Sequence, residues 1–148
     1  NSTGSAPAGA SYAYMILPGA GAADLDRAAR RPPVDIVQND TTLQAVRIPG
    51  AGVTQAVFYA PGTVSLGGET TLRADAPCLV IARRSGKSLS LTAAVPPELA
   101  QELTLTLKGR YTGAGVSYDA QSGTSAWKVP FSGGMYAGSS VTVELSAP

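Results

Sequence analysis

The stretch LVIARRSGKSLSLTAA, residues 79–94, contains the pattern that decides the expected fold. Apolar and polar residues alternate through residues 88–94, and residues 79–83 form a mainly apolar run that can lie in a strand. Ser85-Gly86-Lys87 separates the two runs, and its glycine suits a tight turn. The stretch therefore predicts a β-hairpin with strands at residues 79–83 and 88–94.

Similar patterns recur along most of the chain. Residues 102–107 place three leucines on one face of a strand, and Gly67-Gly68 marks a second hairpin turn. The predicted strands span residues 11–17, 34–38, 42–48, 53–60, 64–66, 70–74, 79–83, 88–94, 102–107, 116–119, 126–131 and 140–145. Short strands separated by turns every 8–12 residues or so are typical of an antiparallel β-sandwich, so we expect an all-β fold.

The N-terminal part departs from this pattern. Residues 1–11 are low in complexity and are expected to be disordered. The strand predicted at residues 11–17 is apolar or aromatic on both faces, so we expect it to be covered on both sides. Residues 22–31 are rich in alanine, with aspartates early and arginines late, and predict one short helix that ends at Pro32-Pro33.

A change of composition near Pro61-Gly62 predicts two parts. Residues 1–60 would hold the disordered start, one strand of a preceding β-domain, a linker helix and the first strands. Residues 61–148 would form the β-sandwich domain.

Composition excludes several classes of chemistry. The chain has 148 residues and no histidine, which rules out histidine-based triads and, with one cysteine, the usual zinc sites. The net charge of +1 gives no basic surface for nucleic acid, and no apolar run is long enough to suggest a membrane span. Cys78 lies in an apolar run and is expected to be a buried, inert thiol. We expect no metal site and no cofactor.

Two kinds of candidate binding residue remain. Exposed aromatic rings can stack on sugars, and the candidates of this kind are Trp127, Tyr111, Tyr118 and Tyr136. The alternative that we favour places these rings in the sandwich core. Arg83 and Arg84 crowd one hairpin end with Lys87 and could meet an acidic polymer, although a solvated hairpin tip is the favoured interpretation. The carboxylate pairs Asp24/Asp26 and Glu98/Glu102 are not expected to act as a glycosidase pair.

An ordered series of short segments resembles polysaccharide lyase family 8, the hyaluronate, chondroitin AC and xanthan lyases. The segments are YAYMILPGA at residues 12–20, VDIVQNDT at 34–41, LQAVR at 43–47, GVTQAVFY at 52–59, APCLVI at 76–81 and LSLTAAVP at 89–96. Val57 stands where the family usually has asparagine, and Asp40 separates Asn39 from Thr41. Residues 98–148 show no segment of this kind.

The resemblance implies a specific place for this chain. Members of the family cleave acidic polysaccharides by β-elimination at a uronic acid, using a tyrosine, a histidine, an asparagine and arginines of an N-terminal α/α-toroid. None of these residues matches a position here, so the chain resembles the non-catalytic C-terminal end of a secreted lyase. Its expected partners are the central β-domain and the toroid of the parent chain, with an acidic polysaccharide as a further ligand.

Two other functions stay open from the sequence. The chain could be a stand-alone carbohydrate-binding sandwich that uses Trp127 and nearby tyrosines. It could also be an immunoglobulin-like structural module of a surface protein.

Overall fold

The computed structural model describes residues 14–96, 102–131 and 139–148. The chain divides into two compact units, Asn1–Pro32 and Pro33–Pro148.

The described part of the first unit contains one helix, α1 (Ala22–Arg30). The Asp24 carboxylate accepts a hydrogen bond from the Gly21 amide at 3.2 Å and from the Arg27 guanidinium at 2.8 Å. This carboxylate therefore satisfies an amide at the start of the helix and suits the positive end of the helix dipole. The predicted helix is present one residue shorter than expected. No helix in the described parts of the chain is long and apolar enough to span a membrane.

The strand predicted at residues 11–17 is not found in the part of it that the structure describes. Residues 14–17 belong to neither sheet, and Tyr14 and Ile16 are largely exposed, which contradicts the expected cover on both faces. A strand needs a neighbour for its backbone groups, and strand propensity alone does not supply one. Residues 1–13, including the segment expected to be disordered, lie outside the described residues.

The described residues of the second unit form strands joined by turns, with a 3₁₀ turn at Pro49–Ala51. Its described residues form β1 (Asp35–Asn39), β2 (Leu43–Ile48), β3 (Val53–Phe58), β4 (Gly62–Gly67), β5 (Thr70–Ala74), β6 (Cys78–Ser85), β7 (Ser88–Ala94), β8 (Thr104–Lys108), β9 (Val116–Asp119), β10 (Thr124–Lys128) and β11 (Val141–Ser146). The hairpin predicted within residues 79–94 consists of β6 and β7. Gly86 adopts a φ of 58° in its turn, where a residue with a side chain would be strained.

These strands form two antiparallel sheets. One sheet has six strands in the order β1-β2-β3-β6-β7-β11, and the other has five in the order β4-β5-β8-β10-β9. The β6–β7 hairpin therefore lies inside the six-stranded sheet, with β3 on one side and β11 on the other. The prediction of an all-β antiparallel sandwich with one short N-terminal helix is confirmed.

The core consists of the inward-facing residues of both sheets. In β6, Val80 and Ala82 are buried while Leu79 and Ile81 are exposed, as the two-residue period of a strand requires. In β7, the buried Leu91 lies opposite Ala82 in the register. The three leucines of residues 102–107 are likewise buried, as their alternation predicted.

The predicted division at residue 60 does not coincide with the division in the structure. Strands β1, β2 and β3 all precede residue 60, yet they complete the same sheet as β6 and β7. A boundary at Pro61-Gly62 would separate β3 from its partner β6 and expose the core. The structural division lies between Pro32 and Pro33, at the double proline that follows the helix.

Candidate saccharide-binding site

Trp127 belongs to the core. It lies on β10 opposite Leu105 of β8 and Val116 of β9, and only 3% of its surface is exposed. Gly115 passes close to this ring, because a Cβ atom built there would lie 3.8 Å from Cδ1 of Trp127. The ring has no open face for a sugar, so its proposed role as a stacking platform is corrected to a role in packing.

Tyr111 is also buried, at 7% exposure, and its backbone is tied to β10. The Tyr111 amide donates to Oγ of Ser125 at 2.8 Å, and the Ser125 hydroxyl donates to the carbonyl of Gly109 at 2.9 Å. Ser125 is itself buried, so its hydroxyl satisfies polar backbone groups on both sides of residue 110. Tyr111 is therefore not a sugar platform either.

Tyr118 differs from these two rings. It lies on the edge strand β9 and is 41% exposed, and the Arg110 guanidinium carbon lies 5.5 Å from the centre of its ring. This distance is typical of a cation–π contact. Tyr136, the fourth aromatic candidate, lies outside the described residues.

The basic residues of the β6–β7 hairpin do not form one cluster. Arg83 is exposed and faces outward, whereas the Arg84 guanidinium donates to Oγ1 of Thr70 at 2.8 Å. The Lys87 ammonium donates to the carbonyl of Pro148 at 3.0 Å. Because Arg83 and Arg84 are consecutive in a strand, their side chains leave opposite faces of the sheet. The structure therefore does not bring Arg83 and Arg84 together on one face, which is the arrangement that the less favoured acidic-polymer site would need.

Asp40 and Asp119 accept local hydrogen bonds that stabilise the turns in which they lie. The Asp40 carboxylate accepts hydrogen bonds from the Thr42 hydroxyl and the Gln38 side chain, and these lower its pKa. The Asp119 pKa is lowered chiefly by the Ser122 hydroxyl. Among the described residues, no three histidine, cysteine, aspartate or glutamate side chains lie close enough together to hold a metal ion. Glu98, one member of a carboxylate pair, lies outside the described residues.

Cys78 is buried, as expected. Desolvation, together with the nearby charge of Asp75, raises the pKa of its thiol to about 12. The thiolate is the reactive form of cysteine, and it is scarce at neutral pH when the pKa is this high. Cys78 therefore packs as a small apolar residue.

One outward-facing surface is unexpectedly apolar. Among the described residues of the second unit, five large apolar or aromatic side chains are exposed, and Tyr118 is one of them. The other four all lie on the outer face of the six-stranded sheet, and they are Ile36, Tyr59, Leu79 and Ile81. We call this set the apolar outer face.

Two features of the candidate sites were missed from the sequence. Arg110 precedes Tyr111 with no local motif to mark it, and its contact with Tyr118 depends on how β9 and β10 pair. The apolar outer face did have a signal. Residues 79–81 are all apolar, whereas a strand with one face in water is expected to alternate apolar and polar residues.

Comparison with known proteins identifies the domain. Residues 35–104 match the model for the C-terminal β-sandwich domain of polysaccharide lyase family 8. The matched range begins with β1 and reaches the start of β8, and so includes most of the six-stranded sheet.

This chain carries the family 8 C-terminal β-sandwich domain.

Two curated relatives agree with this assignment. A hyaluronate lyase of Thermasporomyces composti is 38% identical over 78 residues, which are 52% of this chain and 9% of that protein. A chondroitinase-AC of Pedobacter heparinus is 28% identical over 142 residues, which are 96% of this chain and 19% of that protein. The second match extends beyond residue 98, where no family segment had been recognised in the sequence.

A solved structure agrees as well. The chondroitin AC lyase of Streptomyces coelicolor A3, solved in complex with chondroitin sulphate, superposes with a TM-score of 0.65 and 26% identity. The superposition covers 89% of this chain and 18% of that chain. The family 8 domain described here thus spans between about a tenth and a fifth of the length of these relatives.

The burial of Trp127 can be tested directly, because it is the only tryptophan in the chain. We expect the native family 8 domain to emit blue-shifted tryptophan fluorescence that acrylamide quenches weakly and that acidic saccharides leave unchanged. The urea-unfolded chain is the control, and it should be quenched several times more strongly because the ring is then in water. Equal quenching of the native and unfolded chains would contradict a core position.

Proposed function

We propose that this chain is the non-catalytic C-terminal β-domain of a secreted polysaccharide lyase. The parent enzyme would cleave an acidic polysaccharide, such as hyaluronan, chondroitin or xanthan, by β-elimination. The role of the domain is structural: it packs against a preceding domain of the parent chain and stabilises the whole enzyme. The observation that carries this proposal is the apolar outer face of the six-stranded sheet.

The apolar outer face extends over four strands and is interrupted only by two glutamines. The register aligns Ile36 of β1 with Val46 of β2, then with Gln55 of β3, and then with Ile81 of β6. In the neighbouring row, Gln44, Val57 and Leu79 lie side by side, and the Tyr59 hydroxyl donates to Oε1 of Gln44 at 3.2 Å. An antiparallel sheet that faces water usually alternates apolar and polar residues, so a face of this kind indicates a contact surface.

The rest of the same face is polar, which gives the contact surface an edge. On β7 and β11, the Ser90 hydroxyl donates to Oε1 of Glu144 at 2.6 Å, and the hydroxyls of Thr92 and Thr142 are 2.8 Å apart. These pairs are typical of a strand surface that stays in water. The docked area would therefore cover β1, β2, β3 and β6 and end near β7.

The occupant that we infer is the preceding part of the same polypeptide. The matched domain is C-terminal in its family, and it accounts for 18% of the length of the Streptomyces coelicolor lyase. A longer chain that precedes this domain would supply an apolar surface in a fixed covalent relation to it. The alternative of an immunoglobulin-like module without such a neighbour does not explain why the apolar outer face is exposed.

The chemistry of the chain supports a non-catalytic role. The sequence contains no histidine, and the only cysteine is a buried thiol with a pKa raised to about 12. Trp127 and Tyr111 are used in packing. Secretion is part of the proposal because polymers such as hyaluronan and chondroitin are met outside the cell.

The isolated chain is expected to have no lyase activity. Hyaluronan, chondroitin and xanthan should yield no ultraviolet absorbance from an unsaturated uronate product after long incubation with the folded chain. An active family 8 lyase, assayed in parallel on its own substrate, is the control for the assay. Turnover by the isolated chain above the buffer rate would refute the non-catalytic role.

Docking through the apolar outer face predicts a stability change that depends on the length of the chain. The double variant Leu79→Lys/Ile81→Lys should destabilise the parent lyase by about 2–4 kcal/mol, because two apolar contacts are lost and charge enters a buried interface. In the isolated chain, where both side chains are more than 40% exposed, the loss should be less than about 1 kcal/mol.

The measurement is urea unfolding of both lengths of protein. Thr142→Lys is the matched control, since it places the same charged side chain on the polar part of the same sheet face. It should leave both proteins nearly unchanged. Equal destabilisation of the short and long proteins by the double variant would argue against docking on this face.

A further inference from the structure

The contact between Arg110 and Tyr118 lies apart from the apolar outer face. Tyr118 is on β9 in the five-stranded sheet, and it is the one exposed large aromatic or apolar side chain that the described second unit has outside that face. The Arg110 guanidinium carbon lies 5.5 Å from the ring centre. The ring therefore restricts an exposed side chain that would otherwise be free to rotate.

The backbone around Arg110 is held firmly on both sides. The Gly109 amide donates to the carbonyl of Gly123 at 2.8 Å, and the Gly109 carbonyl accepts from the Ser125 hydroxyl at 2.9 Å. On the other side, the Tyr111 amide donates to the same Ser125 hydroxyl oxygen at 2.8 Å. Because Ser125 is buried, its two bonds are sheltered from bulk water, and together with the Gly109–Gly123 bond they fix the origin of the Arg110 side chain.

The hydrogen-bonding edges of Arg110 are unused. Three of the other arginines of the described chain have polar partners: Arg27 pairs with Asp24, Arg47 with Asp35, and Arg84 with Thr70. Arg110 has no salt bridge or side-chain hydrogen bond among the described residues. Its guanidinium contacts an aromatic ring, and its N–H groups remain available to an outside acceptor.

The nearest acidic residue along β9 does not neutralise this group. Asp119 follows Tyr118 and so projects from the opposite face of the strand. Its carboxylate accepts hydrogen bonds from the Gln121 amide at 2.9 Å and the Ser122 hydroxyl at 2.7 Å. The positive charge of Arg110 is therefore not matched by the acidic residue closest to its aromatic partner.

We propose that Arg110, held by Tyr118, is an anion-binding subsite for the carboxylate or sulfate group of an acidic saccharide. A planar guanidinium donates two parallel hydrogen bonds to such an oxyanion, and prior orientation by a ring reduces the entropy lost on binding. The choice of a saccharide rests on the proposed function, whereas the choice of an oxyanion rests on the geometry alone.

The test uses NMR titration of the 148-residue chain with three tetrasaccharides. Hyaluronan and unsulfated chondroitin carry only carboxylates, and chondroitin 4-sulfate also carries sulfate. Binding of all three with similar affinity identifies the carboxylate as the ligand, and binding of only the third identifies the sulfate. In either case the shifted amides should include residues 109–111 and 116–119.

Substitutions distinguish specific binding of the oxyanion by the Arg110 guanidinium from general electrostatic attraction. Arg110→Ala and Tyr118→Leu should each weaken binding by about three- to tenfold, and Arg110→Lys should weaken it nearly as much because it keeps only the charge. Tyr118→Phe keeps the ring and should bind like the unmodified chain. The control is Arg73→Ala, which removes an exposed arginine from β5 and should change nothing.

Two results would contradict the proposed anion-binding role of Arg110. The first is an equal loss of affinity in Arg73→Ala and Arg110→Ala, which would indicate non-specific attraction. The second is the absence of shifts at residues 109–111 with any tetrasaccharide up to about 10 mM. Unchanged urea midpoints of the variants would show that folding is not the cause. Neither result bears on docking through the apolar outer face, which is measured independently by stability.

Discussion

The burial of the inner faces of two sheets against each other is the constraint on which the rest of this structure depends. Residues such as Leu91 in the six-stranded sheet and Leu105 in the five-stranded sheet share one core. Because side chains alternate along a strand, this core determines which residues must face outward. Trp127 and Tyr111, two rings that could otherwise have bound sugars, are buried in this core. Interactions with other molecules are therefore left to the outer faces and the edges.

The outer surfaces of the two sheets differ in the kind of interaction that they offer to other molecules. The six-stranded sheet exposes a mainly apolar area over β1, β2, β3 and β6, and hydroxyl and carboxyl groups over β7 and β11. The described residues of the five-stranded sheet expose no comparable area, but its edge holds the Arg110–Tyr118 contact. An apolar area suits a partner that stays in place, and an unpaired guanidinium suits a ligand that is exchanged. Both agree with the proposal that the domain belongs to a larger polysaccharide-degrading enzyme.

Local pattern predicted the strands well and their neighbours poorly. The hairpin at residues 79–94 could be read from alternation and one glycine, since both act within a few residues. The boundary predicted at residue 60 does not follow the strand pairing, because β3 pairs with β6, a partner that no local signal identifies. The same limit applies to the candidate site. Burial of Trp127 was the favoured interpretation, but Arg110 meets Tyr118 only through the pairing of β9 with β10.

Hydroxyl-radical footprinting of Tyr59, Leu79 and Ile81 tests the central claim most directly, because it measures the exposure of side chains in a protein of any length. In the isolated chain these three residues are 43–53% exposed and should be oxidised readily. In the parent lyase they should be protected several-fold, while Tyr118 should react similarly in both proteins. Equal oxidation of Tyr59, Leu79 and Ile81 in the isolated and parent proteins would contradict the account.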